Sequence, residues 1–187
     1  MRRYHSPKDY LDAARDPAAS PEELRFLAGS VYDFVRLAVA EHPHAGADVL
    51  VALIPQHIES WNEQRLALAL ARHPNIPPHG LRVLAERLPA VLNRGRGNDN
   101  GLAAGSALCN NPHTPLDAIH TMLTDPRTST DFRRRLAREA TRADVLRLLL
   151  NDQSDVARRR AQERLRALIS PEQNAMNTDD APSFPDT

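Results

Sequence analysis

"LALALARHPNIPPHGLRVLAERL", residues 66–88, runs one apolar helical pattern into three prolines and then directly into another. Leu66, Ala69 and Leu70 recur at i, i+3 and i+4, which places them on one face of a helix. Pro74 lacks an amide donor and disfavours helical geometry at His73, so the first helix must stop there. Pro77 and Pro78 suit the first turn of a following helix, where the missing N–H has no intrahelical partner in any case. The interruption is therefore a joint between two helices, set by chain geometry.

The joint repeats. "VRLAVAEHP" (35–43) and "AGSALCNNP" (104–112) align on the proline of "LALALARHP" (66–74). Val35, Ala38 and Val39 then match Leu66, Ala69 and Leu70, and match Ala104, Ala107 and Leu108 in the third copy. His42, His73 and Asn111 each stand directly before the proline. A fourth copy, "RRRLAREAT" (133–141), keeps Leu136 and Ala137 and has lost the proline. Second helical patterns read "SPEELRFLAG" (20–29), "GADVLVALIP" (46–55), "PPHGLRVLAERL" (77–88), "TPLDAIHTMLTD" (114–125) and "RADVLRLLLND" (142–152). Ser20-Pro21 and Thr114-Pro115 combine a capping hydroxyl with proline and nearby acids, which are helix-start chemistry. The joint spacing lengthens along the chain through insertions at "QHIESWNEQ" (56–64) and "NRGRGNDNG" (93–101). One helical pair cannot bury its apolar face and stacked pairs can, so the expected fold is all-α: an α-solenoid of about five helical repeats.

Composition agrees with that class. The chain has 187 residues, 41% hydrophobic and only 4% aromatic, so its core must rest on Leu, Ala and Val. No segment alternates β-branched residues in the manner of a strand. A single cysteine, Cys109, excludes an intramolecular disulfide and a thiolate metal cluster. No apolar signal core opens the chain and no run approaches a membrane span, from which a soluble, cytoplasmic protein without membrane contact is expected. The expected organisation is a capping segment at 1–15, a repeat domain at 16–169 and a disordered acidic tail at 170–187.

"DPAASPEELRFLAGSVYDFVRLAVAEHP", "HPNIPPHGLRVLAERL" and "NNPHTPLDAI" resemble the variant leucine-rich repeat family. Units of that family read roughly D-P-x-x-P-x-x-L-x-x-L-A followed by V-R-x-x-V-A-x-N-P. The resemblance covers residues 16 to 165, strongly in the first half and weakly after Arg127. It implies a right-handed superhelix of helices, one α and one 3₁₀ or short α per repeat. Some members carry an N-terminal cysteine-rich iron–sulfur module. This chain has no such cysteines, so the resemblance implies no cofactor here, and the family has no shared catalytic residues to transfer.

Candidate chemistry is sparse. Stacking would bring His42, His73 and Asn111 into one column, which could hold a metal or could close helix ends through backbone hydrogen bonds. Asparagine in the third copy favours the second, because an amide nitrogen is a poor ligand. Cys109 aligns with Ala40 and Ala71 and reads as a small core filler. Residues 127–169 carry twelve arginines against six carboxylates, a net of +6. Arg134, Arg138, Arg158 and Arg159 belong to this basic end, which suits phosphate binding or a solvated polar cap.

The expected function is that of a non-enzymatic protein-interaction scaffold presenting a curved helical-repeat surface. Its contact residues would be Trp61, Arg94 and Arg96 in the two insertions, with Arg134, Arg138, Arg158 and Arg159 at the basic end. Nucleic-acid binding by residues 127–169 is the alternative. No metal site, catalytic residue, cofactor or small-molecule substrate is expected.

Overall fold

Four helices begin at a serine side-chain cap, and several end within a few residues of a proline. A computed structural model describes residues 4–93 and 99–177. These residues form α1 (Pro7–Ala14), α2 (Pro21–Ala28), α3 (Asp33–Ala40), α4 (Ala47–Ala52), α5 (Trp61–Arg72), α6 (Pro78–Arg87), α7 (Asp99–Asn110), α8 (Leu116–Thr124), α9 (Thr130–Glu139), α10 (Ala143–Leu149) and α11 (Asp155–Asn177). A 3₁₀ turn follows α6 at Leu88–Ala90. The described residues contain no strand, and none of their helices is long and apolar enough to cross a membrane.

Ser6 and Asp9 close a reciprocal capping box on α1, and Ser60 and Glu63 do the same on α5. The Ser20 and Ser129 hydroxyls accept from the Glu23 and Phe132 amides and cap α2 and α9. Thr114 departs from its expected capping role. Its hydroxyl turns back and donates to the Leu108 carbonyl at 2.6 Å, satisfying the end of α7 instead of the start of α8. Thr128 does the same for α8 through the Met122 carbonyl at 2.7 Å.

The helices sort into two layers. Each of α1, α3, α5, α7, α9 and α11 packs on the next of that series, while α2 meets α4, and α6, α8 and α10 meet in turn. Gly80 on α6 lies against Val51 and Ile54 and joins the two parts of this second layer. The alternation is that of an all-helical repeat fold: every pair adds one helix to each layer. The core runs between the layers through Leu24, Leu27, Val39, Leu50, Leu70, Leu81, Leu84, Leu108 and Leu136, all fully buried. Each such side chain contributes about 1.5–3 kcal/mol on burial.

Small residues set the closest approach. Ala67 and Ala71 on α5 and Ala104 on α7 are buried where these two neighbouring helices pack, and Gly105 on α7 is buried against Leu92 and Phe132. A Cβ at Gly105 would stand 2.8 Å from Leu92 and 2.9 Å from Phe132, so glycine is required by space. Phe132 itself, buried on α9 with Leu136 and Ala137, lies one residue outside the fourth sequence copy. Trp61 is the first residue of α5, so the insertion before that helix ends sooner than its sequence suggested. The last helix runs to Asn177, past the expected boundary at 169; Glu, Gln, Ala and Met in this stretch all favour helix. Residues 178–187, the remainder of the expected tail, lie outside the described residues.

Candidate functional site

The joint residues form a ladder of bonds from each repeat to the one before it. His42 and His73 are buried, with 4% and 5% of their surface exposed. In each ring Nδ1 accepts a backbone N–H two residues on, from His44 at 3.1 Å and from Asn75 at 3.0 Å. That role assigns the proton to Nε2, which donates to a carbonyl of the preceding joint: Asp16 O for His42 and His42 O for His73, both at 3.0 Å. Asn111 repeats the scheme with a shorter reach, accepting from the His113 amide at 2.9 Å and donating to Ala71 O at 2.9 Å.

The fourth joint has Ala140 where the others have His or Asn. Here Arg142 supplies the donor, placing one guanidinium nitrogen 2.7 Å from Asn111 O and 3.1 Å from Thr114 O. Arg164 on α11 continues the ladder to Ala140 O at 3.2 Å. Both nitrogens of His42 and of His73 are thus committed to backbone groups, as the helix-closing reading requires. The remaining described histidines, His5, His44, His57, His79, His113 and His120, are exposed. Among the described residues no group of three His, Cys, Asp or Glu is placed to hold a metal ion.

Three clefts lie side by side on the outer face of the first layer. One, about 380 Å³, spans α3 to α5 over Glu41, Arg65, Leu68, Ala69 and Arg72. The next, about 650 Å³, crosses α5, α7 and α9 over Ala71, Ala103, Ser106, Ala107 and Asn110. The third, about 590 Å³, lies between α9 and α11 over Arg134, Arg135, Arg138, Val156 and Arg160. Arg72 and Pro74 border the first two clefts, and Arg135 and Glu139 border the last two, so the three make one trough. Its floor is low because Ala103, Ser106 and Ala107 occupy the outward face of α7 at helical spacing. The Ser106 hydroxyl in that floor has no hydrogen-bond partner among the described residues.

Arginines edge the trough. Arg65 lies over the Trp61 ring, 4.7 Å from its centroid, and Trp61 is 59% exposed. Arg72 is exposed between the two clefts. Arg135 and Arg138 both bond Glu139, whose carboxyl is pulled below its ordinary range by these two guanidinium groups against the opposing effect of burial.

The basic end is more internally bonded than its +6 charge suggests. Arg133 is held by Asp152 at 2.7 Å and by Thr128 O at 2.7 Å. Arg134 bonds Ser154 and Asp131, and Arg158 bonds Asp152 O at 2.6 Å and pairs with Asp155. Arg160 reaches Arg134 O. Arg159 is exposed beside the cleft formed with Leu150, Asp155, Arg158 and Gln162. Arg94 and Arg96 lie outside the described residues. Trp61, Arg134 and Arg138 therefore border or adjoin the trough, whereas Arg158 and Arg159 sit on another face of α11. Sequence reasoning missed Arg65, Arg72 and Arg135; the first two are seven residues apart and so share one face of α5.

Cys109 is fully buried in α7, and burial pushes its thiol up to about 12, with Arg142 acting weakly in the other direction. Comparison with known proteins returns nothing to set beside this geometry: no family model, no curated protein and no solved structure matches the chain.

Proposed function

We propose that this chain is a non-enzymatic, cytoplasmic protein-interaction scaffold of the variant leucine-rich repeat type, and that its trough takes a segment of a partner protein. The continuous trough across α3, α5, α7, α9 and α11 carries the reading. A floor of alanine and serine lets a peptide backbone approach closely, and arginines on both edges offer charge and planar donors. Side chains with chemical potential are spent on the fold: the joint histidines bond backbone, and the Cys109 thiol is buried. Nucleic-acid binding draws less support, because most arginines of the basic end already bond carboxylates or carbonyls of this chain.

The test is a photo-crosslinking residue placed at Ala107, in the trough, or at His79, on the second layer, in the protein expressed in its own cells. A partner should be captured from Ala107 alone and lost when Arg72→Glu is added. Capture from both positions alike, or capture indifferent to Arg72→Glu, counts against the trough. Steeply salt-dependent binding to generic DNA in place of protein capture would select the nucleic-acid reading.

A further inference from the structure

The trough carries more positive charge than the chain itself neutralises there. Six arginines border it: Arg65 and Arg72 on α5, Arg134, Arg135 and Arg138 on α9, and Arg160 on α11. The carboxylates of Glu41, Asp131 and Glu139 border it too, which leaves three positive charges in excess with histidine neutral. The whole chain has 24 basic and 24 acidic residues, so this excess is local. Arg134 pairs with Asp131, and Arg135 and Arg138 share Glu139. The other three arginines have no carboxylate partner among the described residues. Arg65 lies over the Trp61 ring, and Arg160 reaches only the Arg134 carbonyl. Arg72 is exposed and makes no hydrogen bond or ion pair with any described residue. It stands where the first two clefts meet, so whatever crosses from α3 to α7 passes it.

These three cations are widely spaced. Arg65 and Arg72 are two turns apart on α5, about 10 Å. Arg160 lies three helix spacings further along the layer, about 24–30 Å away. Separated cations suit a ligand with a few separated anions, and a guanidinium matches a carboxylate with two parallel hydrogen bonds. We infer that the occupant of the trough is an acidic segment of a partner protein, whose carboxylates meet Arg65, Arg72 and Arg160. Such an occupant presupposes that the trough is the binding surface proposed above.

Charge density separates this occupant from a nucleic acid. From α3 to α11 the trough crosses four helix spacings, about 32–40 Å. An extended peptide covers that length in about ten to twelve residues, and three or four acidic ones among them match the excess. A duplex strand carries a phosphate about every 3.4 Å, so about ten would lie along the same length. That exceeds the positive excess roughly threefold by the same spacing, and it would press phosphates against Glu41, Asp131 and Glu139.

The experiment follows fluorescence anisotropy of three labelled probes with the full chain at low ionic strength. One is a twelve-residue peptide of repeated Glu-Ala-Ser, the second has glutamine for each glutamate, and the third is a single-stranded DNA of matching length. The glutamate peptide should bind saturably, and the glutamine peptide about tenfold more weakly. Arg72→Gln should weaken the glutamate peptide about threefold and leave the glutamine peptide unchanged. Ala107→Trp, which fills the trough, should remove binding of the glutamate peptide. Arg72 is exposed, and circular dichroism verifies that the helices of both variants are intact. If the glutamate peptide does not saturate, or binds no better than its glutamine counterpart, while a crosslinker at Ala107 still captures a partner, the acidic occupant is refuted and the trough stands. If the crosslinker at Ala107 also captures nothing, both fall. Binding of the glutamate peptide that ignores Arg72→Gln and Ala107→Trp takes place elsewhere and overturns the inference. Tighter binding of the DNA, lost in both variants, overturns it in favour of nucleic acid.

Discussion

Replacing His73 by alanine tests whether the joint is held by bonds or by bulk. The ring makes two hydrogen bonds, from the Asn75 amide and to His42 O. At about 1 kcal/mol net for each, their loss costs about 2 kcal/mol. The Asn75 residue is exposed, so its freed amide regains water and adds no burial penalty. Removing a 5%-exposed ring leaves a gap at the joint, which adds about 1 kcal/mol. The expected total is about 3 kcal/mol. His73→Asn supplies both an acceptor and a donor, as Asn111 does naturally, and should cost only about 1 kcal/mol. Urea unfolding followed by helical circular dichroism gives both numbers from the midpoints at constant slope. If asparagine proves as damaging as alanine, ring volume and not hydrogen bonding holds the joint. A loss under about 0.5 kcal/mol for alanine would refute the ladder altogether.

Gly105→Ala should destabilise the protein by about 1–2 kcal/mol, although alanine is the better helix former, because the added methyl meets buried Leu92 and Phe132; thermal unfolding checks the sign. Cys109 should resist a thiol reagent at pH 8 in the folded protein and react fully in urea, since it is buried with a thiol raised to about 12; fast labelling of the native state would show that α7 opens. Asp33, Asp48, Asp117 and Asp144 are held below the ordinary carboxylate range, each first by an arginine hydrogen bond, from Arg36, Arg25, Arg82 and Arg142 respectively. Depressed folded values mean that this stabilisation is complete above the unfolded value of about 3.9 and is lost as pH falls through the folded values. The part of the urea midpoint that these pairs supply should therefore be lost below about pH 4, and replacing the four aspartates by asparagine should remove that acid limb; an unchanged limb would contradict the assignment.

The joints were legible because proline and its preceding polar residue leave a mark at fixed positions, at His42, His73 and Asn111. Their acceptors were not, because a backbone carbonyl has no letter of its own. For the same reason Arg142 and Arg164 read as part of a basic patch when they are donors to Asn111 O and Ala140 O. Net charge is additive along a sequence, and pairing is not. Thr114 read as a cap because its position before proline fits two local geometries, and only the orientation of its hydroxyl distinguishes them. The trough could not be read from α7 alone: Ala103, Ser106 and Ala107 are unremarkable until the arginines of α5 and α9 stand on either side. Tyr4, Tyr10, Phe26, Tyr32 and Phe34 are scattered across thirty-one positions, and only the packing of α1, α2 and α3 brings their rings together.

The ladder has a polarity that bears on how such a chain can grow. Each rung takes a side-chain donor from the later unit and a main-chain acceptor from the earlier one. Asp16 O, His42 O and Asn111 O already accept a turn amide, from Ala19, Ala45 and Thr114, and use their second lone pair for the rung. Any unit therefore presents a socket whatever its sequence, and only the incoming unit must bring a plug. Histidine, asparagine and arginine all serve. A gene segment duplicated in register would carry its own plug and find a socket waiting, so the stack can lengthen or shuffle without compensating change in the neighbour it joins.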